Sequence, residues 1–247
     1  MFLTKISVTA QNHTEMKIRI AISLCLVVLI SLSAFARDLK FDKYSSKLRR
    51  FVSDVVFVVD HGDREKYAKR LPAKISVTYH ATPAEKQLAG KKLAQFLDAT
   101  SVEIVDGSDS KSEGETVADI QIYFGETTAL QKEASKHGDQ IQVGNGYVFW
   151  TWWDDDRVIE KAVVFIGTDR LSGKNLEDRL IEQLFGVFGL PSKSGEADNS
   201  CMTDDDNAVF TELQPLDLAL LKFYYTHIPA GTKPAEAAEI VREKWGK

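Results

Sequence analysis

The central part of the chain repeats apolar residues with the period of β-strands. Apolar and polar positions alternate in most of these blocks, which is typical of strands because successive side chains point to opposite faces of a sheet. Residues 161–169 are apolar enough to predict a central strand. The predicted strands are, in chain order, KISVTYH (74–80), SVEIVD (101–106), ADIQIYFGE (118–126), GNGYVFWTWW (144–153) and KAVVFIGTD (161–169).

Apolar residues at helical spacing separate and follow these strands. A helix is predicted from Pro83 to about Leu97. Thr82 is its predicted N-cap, and Glu85 completes a capping box. The remaining predictions are a short helix or loop over residues 127–138, a long helix over 175–190, a helix over 213–228 with Asp217 in its first turn, and a helix over 231–245 with Thr232 as N-cap.

A shorter segment, residues 37–73, precedes this region. Apolar residues from Phe51 to Val59 predict a strand that enters the fold, and the charged residues 61–72 predict a linker. Residues 74–247 then form the main domain. Its order of elements predicts an α+β (α/β-like) fold with one mixed, mostly parallel five-stranded sheet, two long helices and a helical C-terminal part.

The N-terminus has the pattern of a secretory signal peptide. Two basic residues after Met16 precede an apolar run from Ile20 to Leu32, and the sequence A-F-A ends at Ala36. We therefore expect translation to start at Met16 and residues 1–36 to be removed after Ala36. The alternative is an uncleaved membrane anchor, for which the run is shorter than the ~20 residues that a spanning helix needs.

Composition and cysteine content limit the class of protein further. The 247 residues include 44% hydrophobic and 27% charged residues, as in ordinary globular proteins. A net charge of −5 without a basic stripe argues against binding to nucleic acid, which depends on neutralising phosphates. Cleavage after Ala36 leaves Cys201 as the one cysteine, so no intrachain disulfide is predicted. Cys201 is either a reactive thiol or a buried, apolar-like residue.

Three short motifs follow one another in the C-terminal third: E-Q-L-F-G-V-F-G-L (182–190), N-S-C-M (199–202) and L-Q-P-L-D (213–217). They resemble the metzincin zinc peptidases, in which H-E-x-x-H-x-x-G-L is followed by a methionine turn and a C-terminal helix. The resemblance covers residues 74–228 and implies a zincin-like fold with Met202 in the methionine turn. More closely, the chain is similar to a domain-of-unknown-function family of secreted bacterial proteins that are degenerate relatives of these peptidases.

The chain departs from the peptidase motif at the positions that carry the chemistry. Glu182 stands at the first ligand position, Gln183 at the catalytic glutamate, Gly186 at the second ligand and Ser192 at the third. A catalytic zinc needs three protein ligands, and a glutamine amide cannot act as a general base near neutral pH. The resemblance therefore implies a fold without catalytic residues, metal or cofactor.

The resemblance also implies a cleft between the fourth strand and the helix over residues 175–190. Trp150, Trp152, Glu182, Gln183 and Gly186 are expected to line it, with the strand as an edge that pairs with an extended peptide. Three alternatives stay open. The tryptophans could pack against the N-terminal strand and cover the edge, or stack on a sugar ring, and Glu182 could be an ordinary solvated glutamate.

Three functional hypotheses follow. The first is a catalytically inactive module that binds a peptide or protein partner in the periplasm of a Gram-negative bacterium, without a stable membrane anchor after signal cleavage. The second is a metal-dependent hydrolase with an atypical site built from Glu182, residues 204–206 and His227. The third is a scaffold that docks to a partner through its C-terminal helix and Trp245.

Overall fold

Helices and strands alternate through the first part of the fold, and helices complete it. The computed structural model describes residues 46–57, 66–105 and 117–245, so the predicted signal peptide lies outside the described residues. The strands are β1 (Lys74–His80), β2 (Glu103–Ile104), β3 (Val117–Gly125), β4 (Tyr147–Trp153) and β5 (Ile159–Gly167). The helices are α1 (Ser46–Phe57), α2 (Pro83–Thr100), α3 (Thr127–His137), α4 (Gly173–Val187), α5 (Pro215–His227) and α6 (Pro234–Lys244).

The strands form one five-stranded sheet in the order β2-β1-β3-β5-β4. β2, β1, β3 and β5 run parallel to one another, and β4 pairs antiparallel with β5 at one edge. The predicted mixed α/β architecture with a mostly parallel five-stranded sheet is confirmed. The apolar block that predicted a central strand lies in β5, where residues from Ala162 to Ile166 are fully buried.

Helices cover both faces of the sheet. On one face, called the α4 face, α4 packs against β4 and β5, and α2 packs against α4 through Phe96, whose ring lies 5.0 Å from that of Phe185. On the other, the α3 face, α3 packs against β3 and β5. The result is a three-layer arrangement in which each face of the sheet buries its apolar side chains.

A side-chain capping box fixes the start of helix α2. Thr82 is the N-cap of α2, and its backbone N–H donates to the Glu85 carboxylate at 2.7 Å in the predicted capping box. The predicted helix near the C-terminus is confirmed as α6, but its predicted N-cap is wrong by one residue, because the N-cap is Lys233. Thr232 belongs to the preceding turn, where its hydroxyl donates to the carbonyl of Pro229 at 2.7 Å.

The strand predicted from Phe51 to Val59 is wrong for the part that is described, because residues 46–57 form helix α1. Valine-rich sequence favours strands, but here the apolar residues recur every three or four positions, which places them on one face of a helix. This face packs against α6 and is wholly buried. Its residues are Leu48, Phe51, Val52, Val55 and Val56. Val58 and Val59 lie outside the described residues.

A buried lysine joins α2 to the C-terminal half. The Lys92 side chain is fully buried, and its Nζ lies 2.7 Å from the Glu177 carboxylate of α4 and 3.3 Å from that of Glu212. It also donates to the carbonyl of Thr211. A buried ammonium is tolerated only when paired, so these contacts tie α2, α4 and the segment before α5 together.

Candidate functional site

The outer edge of β4 presents backbone groups that β5 does not use. The N–H of Gly167 donates to the carbonyl of Gly146 at 2.5 Å, one position beyond the register pair Tyr147 and Ile166. Hydrogen-bonded and non-hydrogen-bonded pairs alternate along an antiparallel ladder. Phe149 and Thr151 therefore direct their N–H and C=O groups away from β5, and no other described residue hydrogen-bonds to these groups. We call these four groups the outer edge of β4.

Gly186 lies directly under this edge strand. A Cβ added to Gly186 would lie 2.3 Å from Cζ of Phe149, so the phenyl ring rests on the helix backbone of α4. At Gly186, the space expected to belong to the predicted cleft is therefore filled by the ring of Phe149. Only glycine permits this contact, which fixes β4 against α4.

The two polar residues predicted for the cleft have different environments. The Gln183 side chain is buried inside the fold, with 4% of the residue exposed. Glu182 is half-buried and ion-paired with Arg179 and with Lys193, whose Nζ lies 3.4 Å from its carboxylate. Arg179 in turn lies over the ring of Tyr147 at 5.1 Å. Glu182 is therefore linked to β4 indirectly, through the contact of Arg179 with Tyr147.

The tryptophans lie on the opposite face of the sheet. Trp150 and Trp152 pack against a buried cluster on the α3 face that includes Leu130, Ala134 and Phe165. The structure thus separates the predicted set of five, with the tryptophans on the α3 face and Glu182, Gln183 and Gly186 on the α4 face. The expected packing of the tryptophans against an N-terminal strand is also not found, because the described segment is helix α1.

Only part of the information needed to find the edge residues is local to β4. Alternation places the side chains of Phe149 and Thr151 on one face. It does not say which backbone groups face β5, because that depends on the register with β5. Arg179 was missed because a lone arginine on a helix carries no signal until Tyr147 is placed beside it.

The predicted methionine turn is held by the start of α5. Met202 is 1% exposed. The buried Asp217 carboxylate accepts hydrogen bonds from the Ser200 hydroxyl at 2.5 Å, the Cys201 N–H at 3.1 Å and the Gln214 N–H at 2.8 Å. Burial raises the pKa of Asp217, and these three donors oppose that shift. Burial also raises the pKa of the Cys201 thiol, which favours the buried, unreactive alternative.

The residues named in the hydrolase and docking hypotheses have the following environments. Within residues 46–57, 66–105 and 117–245, no three His, Cys, Asp or Glu side chains are grouped so that they could hold a metal ion. The ring of His227 packs on that of Phe223, with centroids 5.0 Å apart. Trp245, proposed as a docking residue, is 7% exposed and packs on Phe223 at 4.7 Å. No helix among the described residues has the length and apolar character needed to cross a membrane.

Comparison with known proteins shows which family the chain resembles. The family described as protein of unknown function (DUF2927) matches residues 34–243, which is most of the chain. No curated protein matches the sequence. The match includes α1, every strand of the sheet and the helices α4 and α5 on either side of Met202. The chain therefore belongs to the DUF2927 family.

Proposed function

We propose that the protein is a binding module that captures an extended peptide along the outer edge of β4. The observation that carries this proposal is the pair Phe149 and Thr151, whose backbone donors and acceptors point away from β5. Addition of a strand to such an edge uses main-chain hydrogen bonds for affinity and the flanking side chains for selectivity. The peptide would belong to a protein of the cell envelope, to which the predicted signal peptide directs the chain.

The rigidity of this edge supports the proposal. Phe149 is seated on Gly186, and Tyr147 is covered by Arg179, which the Glu182 ion pair holds in place. An edge already fixed in its binding conformation loses little entropy when a peptide pairs with it. The partly exposed strand can therefore add a partner without rearrangement of α4.

We further propose that the scaffold is a zincin relative that has lost catalysis. Support comes from the order of α4, the turn with buried Met202 and the start of α5 at Pro215, with Glu182, Gln183 and Gly186 in place of the ligands and base. Glu182 is already neutralised by two cations, and Gly186 is covered by Phe149. These residues have structural partners that a catalytic metal site would have to displace.

Replacing Thr151 by proline is expected to weaken peptide binding selectively. Proline removes the outward N–H of Thr151 and leaves the hydrogen bonds of Trp150 and Trp152 with β5 intact. The probe is a peptide selected by phage display from random octapeptides and then synthesised. Because the variant loses one hydrogen bond and its proline ring crowds the peptide, we expect the peptide to bind about tenfold more weakly. Calorimetry measures this change in Kd.

Two controls make this test specific. Thr151→Val keeps the N–H and the side-chain shape, so its Kd should stay within about twofold of the wild type. N-methylation of the peptide should weaken binding at alternate residues only, since alternate amides face β4. Equal binding to Thr151→Pro, or a uniform effect of N-methylation, would show that the peptide does not pair with this edge.

Metal content distinguishes the hydrolase hypothesis from the proposed inactive binding module. Because the described residues group no metal ligands, we expect the full protein, purified without chelators, to contain far less than one equivalent of zinc, iron or manganese by elemental analysis. A parallel sample incubated with zinc and then desalted tests for metal lost in purification. Near-equimolar metal in either sample would contradict the inactive scaffold and favour the atypical hydrolase.

A further inference from the structure

A second cluster of polar and aromatic groups lies on the α3 face, away from the outer edge of β4. Its centre is the cross-strand pair of Asp119 on β3 and Lys161 on β5, which are direct register partners. Oppositely charged partners in this position normally attract each other. Here Lys161 forms no ion pair with any described carboxylate, and its Nζ instead lies 3.2 Å from Nδ1 of His137.

A series of hydrogen bonds, each with a defined donor and acceptor, connects the Lys161 ammonium to the Asp119 carboxylate. An ammonium can only donate, so His137 accepts from Lys161 at Nδ1 and carries its proton on Nε2, which lies 3.4 Å from the Tyr123 oxygen. The Tyr123 hydroxyl donates to the Gln121 carbonyl at 2.7 Å, and the Gln121 amide donates to Asp119 at 2.6 Å. These contacts link the Lys161 ammonium to the Asp119 carboxylate, although the two groups form no ion pair with each other.

Aromatic rings border the same surface. Lys161 lies 5.1 Å above the Trp152 ring, and the His137 ring lies 6.3 Å from it. On the far side, the exposed His80 stacks flat on Tyr123 at 4.1 Å. Burial lowers the pKa of His137, and the nearby Lys161 lowers it further, so the imidazole is neutral at neutral pH.

Both hydrogen-bond donors and an acceptor on this surface have no hydrogen-bond partner among the described residues. Lys161 uses one of its three N–H donors on His137, and one carboxylate oxygen of Asp119 accepts no hydrogen bond from a described residue. The side chains of Asp119, Gln121, His137, Trp152 and Lys161 are all partly exposed. We call these residues, together with Tyr123, the polar shelf.

We infer that the polar shelf binds an acidic sugar. An ammonium that forms no ion pair with a described carboxylate favours an anionic group, and Asp119 and Gln121 supply the acceptor and planar amide that hydroxyl groups require. The ring of Trp152 offers an apolar surface beside them for the face of a sugar ring. This inference is independent of the proposed peptide edge, because the shelf lies on the α3 face and uses side chains only.

The test uses glucuronic acid as the probe and the indole N–H resonance of Trp152 as the readout. We expect glucuronic acid to shift this resonance, glucose to bind at least about tenfold more weakly, and acetate to do the same because it lacks the ring. Lys161→Met keeps the aliphatic stem over Trp152 and removes the charge. This variant should bind glucuronic acid about tenfold more weakly.

Matched variants separate binding from folding. Lys222→Met removes an exposed lysine from α5 on the other side of the sheet and should leave glucuronic acid binding unchanged. Asp119→Asn should weaken glucuronic acid but leave the weak binding of acetate unchanged. The inference is overturned if glucuronic acid causes no shift, if glucose or acetate binds as well, or if folded Lys161→Met retains wild-type affinity.

Discussion

Replacement of Gly189 by alanine is expected to lower the free energy of unfolding by about 3–5 kcal/mol, from the sum of backbone strain and overpacking. Gly189 has a φ of +85°, and an added Cβ would lie 2.0 Å from the backbone oxygen of Lys69 and 3.2 Å from the Tyr224 hydroxyl oxygen. That Lys69 oxygen also accepts the hydrogen bond of the fully buried Tyr224 at 2.5 Å. Neither neighbour can move without breaking this contact.

The same glycine also ends helix α4. The N–H of Gly189 donates to the carbonyl of Gly186 at 3.0 Å, and that of Leu190 donates to Phe185 at 2.9 Å. This is the hydrogen-bond pattern of a glycine-terminated helix, and it requires the left-handed conformation at Gly189. Chemical denaturation of the full chain, followed by tryptophan fluorescence, measures the expected loss.

Gly173→Ala is the matched control for this prediction. Gly173 also has a positive φ, of +53°, but an added Cβ would meet nothing within 4 Å. Only the strain of the left-handed backbone remains, so a loss of about 1–2 kcal/mol is expected. If the two alanine variants lose equal stability, the close approach of Lys69 to Gly189 is not what restricts that position.

Asp217→Ala is expected to have an effect of similar size, about 3–5 kcal/mol, because it leaves three donors without an acceptor inside the fold. These donors are the Ser200 hydroxyl and the N–H groups of Cys201 and Gln214. Asp217 is fully buried, so water cannot replace the carboxylate readily. The turn with Met202 should then detach from the start of α5 and expose Cys201.

Thermal unfolding and the reaction of Cys201 with a thiol reagent measure the two consequences. Cys201 is 7% exposed in the native fold, so its labelling should become faster in Asp217→Ala. Asp206→Ala, in the exposed acidic run of the same region, should change stability by less than about 0.5 kcal/mol. A folded Asp217→Ala variant with wild-type stability and slow labelling would show that the carboxylate does not hold the turn.

Elements with local signals could be predicted from the amino-acid sequence. The capping box of Thr82 and Glu85, the alternation in β3 and β4, and the apolar block of β5 depend on neighbours within a few residues, so they predicted helix α2 and the strands correctly. The first turn of α5 at Asp217 was predicted for the same reason. The strand prediction from Phe51 to Val59 is wrong over residues 51–57, because valines favour a strand while their spacing here is that of a helix face.

The residues that meet in the candidate site could not be predicted in the same way, because their contacts depend on the packing of distant elements. The family resemblance implied that Trp152 and Gly186 share a cleft, but strand alternation and the packing of α4 put them on opposite faces of the sheet. Likewise, Asp119 and Lys161 are 42 positions apart and become cross-strand neighbours only through the parallel register of β3 and β5. Contacts of this kind depend on register and on the face that each helix covers, and no local pattern in the chain encodes either.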